Sequence, residues 1–401
     1  MRIIINECKK ILDIRIILLL CMFSILYYMT FTQIYRYPTG GQLTNTKYDI
    51  PFTAELVKEW GPKWKVKDEK QYQEKHQELE RGFAKIIKQD QELSKRGIVD
   101  YEIFNKKYEE LGQKTTLSKQ EKELGKLLEN YVFYNDKTSK IFLDIQALEH
   151  IREFQGSEYG VSDKKYKELK ADGFFDGTKL YQKAIEKRVK RDYISLVHEG
   201  VFYILQEDMV TIGGLIMICF FALIIPYQLK QRLRQVIPIL ATTKTGRRIY
   251  QIQLIASALV ALFVGILQMA VYGIIWHLKG LSVFWRCESW GIASNSYWCD
   301  KLSFGTYMLL YMALILLFAI ASIVIIDFIG RTIGNYMGAV AVSIPVCGVM
   351  MFLMRKIYYM LFLITNDQVL AYWELYALAT WLIVMLLFYK IRSKRWKKVD
   401  L

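Results

Sequence analysis

The residues that could catalyse a reaction are few and scattered along the chain. His198 and Glu199 begin the pattern His-Glu-x-x-His, in which two histidines one helical turn apart hold zinc, but Phe202 occupies the second histidine position. The chain has no Gly-rich loop ending in Gly-Lys-Ser or Gly-Lys-Thr to hold nucleotide phosphates, and no Gly-x-Ser-x-Gly nucleophile motif. The sequence therefore predicts a protein that is not an enzyme and that carries no cofactor and no metal ion.

Two pairs of residues could instead form specific bonds. Cys287 and Cys299 share one loop, where an oxidising compartment would permit a disulfide; bonded and free thiols both remain open, because a sequence contains no distances. Asp327 and Arg331 stand four residues apart near the end of an apolar segment. Ionisable residues within membranes are usually paired. We therefore expect an ion pair at the membrane interface, in preference to a proton relay.

Three glycines recur every four residues between two apolar segments: Gly330, Gly334 and Gly338. Small residues at this spacing let helix backbones approach each other closely in lipid, where packing drives association. We expect these glycines to serve helix packing within the chain, with a dimer interface as the alternative.

Residues 228–250, here named the basic segment, hold six basic residues and no acidic one around a small apolar group. A solvated loop would not need that apolar group, whereas a short helix that docks on a cytoplasmic partner would. Binding to anionic lipid headgroups is the alternative. The residues predicted to make this contact are Arg232, Arg234, Val236, Ile237, Leu240, Arg247 and Arg248.

Six apolar segments position these residues, and each is long enough to cross a bilayer, which takes roughly 20 residues. The first, Ile16–Ile34, lacks a small-residue cleavage site and ends among tyrosines, so we interpret it as an uncleaved span rather than a signal peptide. Ile357–Ile364 is too short to cross and is predicted to be interfacial or re-entrant. The other five spans are Met209–Tyr227, Ile252–Trp276, Phe304–Phe328, Ile333–Met354 and Tyr372–Tyr389.

The charge distribution predicts the orientation of the spans. The net charge is +15, yet residues 35–207 carry 32 basic and 30 acidic side chains, so the excess flanks the spans and does not indicate nucleic-acid binding. Short cytoplasmic loops retain Lys and Arg. With both termini inside, the cytoplasmic segments hold 17 basic residues and the short outer segments hold 5. We predict a multi-pass protein of the cell membrane with both termini cytoplasmic.

Residues 35–207, here named the inserted domain, are then extracytoplasmic. The Pro, Gly and Trp residues of its first part, 35–65, predict an irregular lead-in. Beyond it, Ser118 and Glu121 have the spacing of a capping box at a helix start. Apolar residues at three- and four-residue spacing and the chain's continuation into the second span predict three helices: Gln73–Lys95, Leu117–Phe154 and Lys179–Gln206.

The predicted fold class is all-α, a polytopic membrane protein with about six transmembrane helices and a helical extracytoplasmic domain. Residues 1–34 form an amphipathic interfacial helix followed by the first span. Residues 35–207 form the inserted domain. Residues 208–401 form five spans with the basic segment, 228–250, on the cytoplasmic side.

With this arrangement the chain resembles the permease subunit of a type 2 ABC transporter of the exporter-type family. The resemblance covers nearly the whole chain: the interfacial helix, six spans, both termini inside and a cytoplasmic coupling segment after the second span. The stretch Leu240-Ala-Thr-Thr-Lys-Thr-Gly-Arg-Arg-Ile-Tyr250 is similar to the family's Leu-x-x-Thr-x-x-Gly-Arg ending. Many members begin the coupling segment with a Glu-x-x-x-Gly pattern, from which Gln228–Gln235 departs.

The resemblance implies two permease subunits, as a homodimer or a heterodimer, with ABC ATPase subunits bound to their inner face. Closure of the ATPases on ATP would push on the basic segment and export a peptide, a lipid or another amphiphile. Membrane lipid is the other expected partner, and nucleic acid is not one. The alternative is a non-transporting membrane scaffold or sensor, whose inserted domain binds an envelope ligand or partner.

Overall fold

The structure is a computed structural model that describes residues 2–36, 46–65, 68–157, 171, 173, 177–189, 193–233, 249–289, 298, 301–365 and 367–399. Most of these residues are helical. The helices are α1 (Arg2–Ile11), α2 (Ile14–Phe31), α3 (Gln33–Arg36), α4 (Thr46–Trp60), α5 (Glu69–Ile87), α6 (Gln91–Lys95), α7 (Tyr101–Gln113), α8 (Lys119–Glu129), α9 (Asp136–Ser157), α10 (Lys179–Val189), α11 (Glu199–Leu233), α12 (Ile249–Leu278), α13 (Phe304–Thr332), α14 (Tyr336–Tyr358) and α15 (Trp373–Val399). A π-helical turn (Asn130–Tyr134), a 3-10 helix (Leu281–Arg286) and the strands β1 (Lys63–Lys65) and β2 (Tyr193–Ser195) complete the described elements.

Among the described residues, six helices are long and apolar enough to cross a membrane: α2, α11, α12, α13, α14 and α15. They coincide with the six predicted spans, so the prediction of an all-α polytopic protein is confirmed. In the apolar stretch of α11, 78% of the residues are buried, against 17% in that of α2. Helix α11 is therefore the axis on which the other spans pack, and α2 stands at the periphery.

The N-terminal helix α1 is amphipathic, as predicted, and packs against α12. Its buried residues are Glu7 and Ile11. The Asp13 side chain then caps the start of α2 by accepting a hydrogen bond from the Arg15 backbone N–H. The cap separates α1 from the first span and sets the turn between them.

The far part of the inserted domain has its own core, formed by the apolar faces of α5, α7 and α9. The ring centroids of Phe83 and Phe104 lie 5.2 Å apart, and those of Phe104 and Phe142 lie 5.5 Å apart, in edge-to-face contact. The capping box is confirmed, since Glu121 N–H donates to Ser118 Oγ and Ser118 N–H donates to the Glu121 carboxylate.

Two predicted helices of the inserted domain are interrupted. The helix predicted over Gln73–Lys95 breaks because the Asp90 carboxylate accepts from two backbone N–H groups and so starts α6. The helix predicted over Leu117–Phe154 is interrupted by the π-helical turn. There the hydroxyls of Thr138 and Ser139 donate to the Tyr131 carbonyl, which compensates for the lost backbone pairing.

The single helix predicted over Lys179–Gln206 is wrong. Helix α10 ends at Val189 and α11 begins only at Glu199, with β2 between them. Strand β2 pairs antiparallel with β1, and Trp64 opposite Ile194 becomes almost fully buried. Burial of this pair across the two strands outweighs the helical continuation that the sequence pattern predicts.

Part of the predicted irregular lead-in is also helical, because α4 buries Phe52 and Leu56, which lie one helical turn apart on one face. This face belongs to the same apolar core as Phe202 and Phe304 at the adjacent end of the bundle. The inserted domain is therefore joined to the spans by packing as well as by the chain.

The segment Ile357–Ile364 does not cross the membrane. Helix α14 ends at Tyr358, and the chain turns through Phe362, whose φ of 61° is left-handed. The Tyr307 hydroxyl donates to the Leu361 carbonyl at 2.8 Å, and the Tyr311 hydroxyl donates to the Tyr358 carbonyl. These bonds hold the turn against the end of α13.

Candidate functional site: a buried polar network

Asp327 and Arg331 form the centre of a polar network at the end of the bundle that carries the basic segment. Both lie on α13, one helical turn apart, and Arg331 Nε lies 2.8 Å from Asp327 Oδ2. The exposed fractions of the side chains are 0% for Asp327 and 2% for Arg331. The predicted ion pair is thus present and is buried among helices; its depth in a membrane stays a prediction.

Two neighbouring helices contribute amide side chains to this pair. Gln228 of α11 donates its Nε2–H to Asp327 Oδ1, and Arg331 donates to Gln253 Oε1 of α12 at 2.7 Å. The Arg331 guanidinium also lies 4.9 Å from the centroid of the Tyr250 ring. One ion pair on α13 therefore holds α11 and α12 through directed bonds.

A second contact adds α1 to the same end of the bundle. The Tyr227 hydroxyl, next to Gln228 on α11, donates to the Glu7 carboxylate. Lys10 Nζ lies 2.6 Å from the other oxygen of Glu7 and partly neutralises it. We name Glu7, Tyr227, Gln228, Gln253, Asp327 and Arg331 together the Arg331 network.

Arg232 connects the basic segment with this network. It lies one turn beyond Gln228 on α11 and donates to the backbone carbonyls of Arg331 and Thr332, at 3.1 and 2.7 Å. These carbonyls belong to the last turn of α13, which has no helical N–H partners left for them. A guanidinium at this position also complements the negative end of the helix dipole.

The remaining predicted contact residues of the basic segment, Arg234, Val236, Ile237, Leu240, Arg247 and Arg248, lie outside the described residues, and their role stays a prediction. Of the two cysteines, Cys287 is buried with its Sγ 3.5 Å from the Leu196 carbonyl oxygen. Cys299 lies outside the described residues, so the disulfide also stays a prediction.

The three glycines differ in their surroundings. A Cβ placed on Gly330 would lie 2.8 Å from Cβ of Gln228, so α11 and α13 approach each other closely where the network begins. A Cβ on Gly338 would meet its own capping residue, Asn335, at 2.6 Å, and one on Gly334 would meet no atom within 4 Å. Of the three, Gly330 is the position at which another helix requires a small residue.

The amides and Glu7 were not predicted from the sequence as part of a site. Their signal is weak, since Gln228 lies at the edge of a basic loop and Gln253 is one polar letter at the start of an apolar run. Only contact with a buried charge gives them a role. Among the described residues, no group of three His, Cys, Asp or Glu side chains could hold a metal ion.

The network joins helices through charged hydrogen bonds. Two charges that are removed from water are stable only while their hydrogen bonds are kept, so the helices that supply those bonds resist separate movement. Over the described residues the protein is of the all-α class, nearly without sheet, and six of its helices are long and apolar enough to cross a membrane. Comparison with known protein families, with curated proteins and with solved structures finds no match.

Proposed function

We propose that the chain is the membrane-spanning permease subunit of an ATP-driven ABC exporter. A separate ATPase subunit supplies the energy, since this chain carries no phosphate-binding loop. The basic segment is the contact for that ATPase on the cytoplasmic side. The cargo is a peptide, a lipid or another amphiphile.

The observation that supports this proposal best is the position of Arg232. It belongs to the basic segment and at the same time binds the last turn of α13, while Gln228 one turn earlier binds Asp327. A push on the basic segment would therefore reach α11 and α13 together. Because the network also includes α1 and α12, the displacement would be shared by four helices instead of bending one loop.

The resemblance to type 2 ABC permeases supplies the remaining parts of the proposal. Two permease subunits, identical or different, pair within the cell membrane with both termini in the cytoplasm. The excess of basic residues around the basic segment and both chain ends supports this orientation. The inserted domain then faces outward.

Purification of the tagged chain from its native membranes tests the proposal. We expect a subunit with a Gly-x-x-x-x-Gly-Lys-Ser/Thr motif to be recovered with it, and the complex to hydrolyse ATP. The double variant Ile237→Asp, Leu240→Asp should lose that subunit, because docking would bury unpaired charges. The matched control Thr242→Asp, Thr245→Asp, at positions of the same segment that the family motif leaves variable, should keep it. Absence of such a subunit, or its retention by the first variant, would contradict the proposal.

A second candidate, a scaffold or sensor without transport, is supported by the surface of the inserted domain. Phe133 and Tyr134 are adjacent in the π-helical turn and are 54% and 79% exposed. Exposed aromatic side chains are typical of binding surfaces. If Phe133→Ser, Tyr134→Ser abolishes cross-linking to an envelope partner while no ATPase is recovered with the parent chain, this second function is the better one.

A further inference from the structure

An apolar groove runs between α2 and α14, with α11 as its floor. Its volume is about 710 Å³, within the range of small-molecule sites. The walls include Leu19 of α2, Ala222 of α11 and Val340 of α14. We name this cavity the α2–α14 groove.

The groove is closed at one end and open at the other. At the closed end, a Cβ on Gly214 of α11 would lie 2.6 Å from Met351 Cε and 3.3 Å from the Tyr27 hydroxyl oxygen, so α2 and α14 both reach α11 there. At the open end stand Arg15, in the first turn of α2, and Tyr336, the first residue of α14. The two helices thus diverge from the middle of the bundle towards the end that carries the Arg331 network.

The length of the groove matches one leaflet of a bilayer. Tyr336 and Met351 lie on one helix, and the rise of a helix places them about 22 Å apart. Half of a bilayer is about 15 Å of hydrocarbon, or about 20–22 Å with its headgroup region. A groove of this length therefore spans one leaflet from the headgroups to about the midplane.

The lining excludes water and favours a hydrocarbon chain. Buried water needs several polar partners. Of the two hydroxyls that line the groove, that of Ser343 already donates to the Ala339 carbonyl of its own helix, and that of Tyr336 stands at the open end. The groove opens to the side of the bundle that faces lipid, because most residues of α2 are exposed. An acyl chain can enter the groove from the membrane and make van der Waals contacts with both of its walls, α2 and α14.

The positive charge of Arg15 at the open end of the groove favours a lipid with an anionic headgroup. The Arg15 side chain is exposed at the open end, where a lipid phosphate would lie. A guanidinium binds phosphate with two parallel hydrogen bonds. We propose that the α2–α14 groove holds one acyl chain of an anionic phospholipid from the leaflet at the Arg15 end, with the lipid phosphate on Arg15. This proposal does not depend on the permease assignment.

Native mass spectrometry of the full chain in detergent, titrated with phosphatidylglycerol and phosphatidylcholine, tests the proposal. The wild type should retain one phosphatidylglycerol in preference to phosphatidylcholine. Arg15→Gln should lower phosphatidylglycerol retention about five-fold and remove the preference, whereas Arg15→Lys keeps it. Glycerol 3-phosphate should not compete with phosphatidylglycerol, because the free headgroup lacks the acyl chain that fills the α2–α14 groove.

A variant that fills the α2–α14 groove provides the second test. A Cβ on Gly348 would meet no atom within 4 Å, although Gly348 lines the groove, so Gly348→Leu should fold and occupy the space of the acyl chain. We expect it to lose both lipids. Gly273→Leu, on α12 and equally unobstructed, should retain them. Wild-type lipid retention by both Arg15→Gln and Gly348→Leu overturns the proposal. A lipid-free dimer that Gly348→Leu dissociates also overturns it, because a second copy would then occupy the groove.

Discussion

Arg331 and Asp327 are held out of water by helices that each supply one bond. Removing one partner of a buried ion pair leaves an uncompensated charge, which costs about 3–5 kcal/mol, whereas replacing both partners costs much less. The pair is therefore weak evidence for stability and stronger evidence for a fixed arrangement of α11, α12 and α13. Any movement that separates these helices must break a charged hydrogen bond.

Replacement of Arg331 by methionine should lower the free energy of unfolding in detergent by about 3 kcal/mol or more, because Asp327 would remain buried without its counter-charge. The double variant Arg331→Met, Asp327→Asn should recover about 2 kcal/mol of this loss, since Asn still accepts from Gln228. Denaturant titration followed by tryptophan fluorescence measures both.

Arg355→Met is the matched control for that experiment. Arg355 pairs with Glu207 at 3.5 Å, but its side chain is 53% exposed, so its loss should cost less than about 1 kcal/mol. Equal losses for Arg331→Met and Arg355→Met, or a double variant as unstable as the sum of its single changes, would show that Asp327 and Arg331 are not coupled.

Gly213 permits close packing of two other helices at the middle of α11. A Cβ there would lie 2.7 Å from Met354 Sδ and 2.8 Å from Ile315 Cγ2, so α13 and α14 both press on this position. Gly213→Ala should destabilise the protein by about 1–3 kcal/mol through overpacking. Gly273→Ala, with no atom within 4 Å of the added Cβ, should instead be neutral or stabilising by up to about 1 kcal/mol. A shift of the thermal midpoint downward for Gly213→Ala alone is the expected result.

The ion pair of the site could be predicted from the sequence, because Asp327 and Arg331 are neighbours on one helix face. Its burial and its partners could not. Gln228 and Gln253 come from segments far apart in the chain, and the choice between a solvated amide and a buried one is made by tertiary packing. Gly330 was found through its spacing. The spacing shows that small residues recur, but it does not show which of them packs against another helix.

The inserted domain is attached to the bundle by its two strands. Glu288, in the loop after α12, accepts from Lys63 Nζ at 2.7 Å and from the Tyr193 hydroxyl at 2.9 Å. Its backbone carbonyl accepts from the Ser195 hydroxyl at 3.0 Å. One residue outside the domain thus holds β1 and β2 to the adjacent end of the spans.

Glu288→Gln should loosen this attachment while leaving the spans intact. A hydrogen bond to a charged group contributes about 1.5–3 kcal/mol, so amide exchange in residues 63–65 and 193–195 should accelerate about ten-fold or more. Lys70→Met should change nothing there, because Lys70 and Glu74 form an exposed pair at 3.8 Å. Exchange unchanged by Glu288→Gln would mean that packing alone holds the strands.

The pH dependence of that contact has a defined sign. The hydrogen bond from Lys63 to Glu288 raises the pKa of Lys63 above its ordinary 10.5. A group with a raised folded-state pKa contributes stability below its unfolded pKa and loses it as the pH rises through the folded value. The difference in strand stability between wild type and Glu288→Gln should therefore persist through the neutral range and shrink in strong alkali, where Lys63 loses its proton.

The apolar parts of the long helices could be predicted, because a hydrocarbon environment allows few alternatives to a helix. Their ends were less predictable, since α11 begins ten residues before the predicted span and α15 ends ten residues after it. In the inserted domain, the capping box and the apolar faces of α5 and α9 depend on neighbours within one or two turns and were found. Strand β2 depends on β1, about 130 residues earlier in the chain, and no local periodicity reports such a pairing.

For the whole molecule, the orientation in the membrane follows from the basic residues and stays a prediction. Single cysteines introduced at Ser157 and at Thr243 test it in intact cells with an impermeant thiol reagent. We expect labelling at Ser157, in the inserted domain, and none at Thr243 until the cells are opened. The reverse pattern would place the basic segment outside and would remove the ground for an ATPase contact.

The inserted domain and the spans share one apolar core, so the two parts should unfold together. Leu56 and Trp64 of the domain belong to the same buried cluster as Phe304 and Tyr307 of the spans. Helix α11 also continues without interruption from Glu199, beside β2, to Leu233, beside the network. A displacement of the domain would therefore be carried by a rigid element to the end of the bundle where Arg232 and Arg331 meet.

A flexible Gly-Ser linker inserted after His198 should separate strand β2 from the start of helix α11. We expect calorimetry to show one unfolding transition in the parent chain and two in the insertion variant, since the linker lets the domain leave the shared core without unwinding α11. The same linker inserted after Thr115, in an exposed loop far from the spans, should keep the single transition, which separates the loss of coupling from the effect of a longer chain. If both insertions keep one transition with the parent midpoint, packing alone joins the two parts.

The ATPase rate of the assembled complex is a second measurement on the same two insertions. A rate changed only by the His198 insertion would mean that α11 transmits movement between the inserted domain and the Arg331 network. An unchanged rate would mean that the domain is a passive cap.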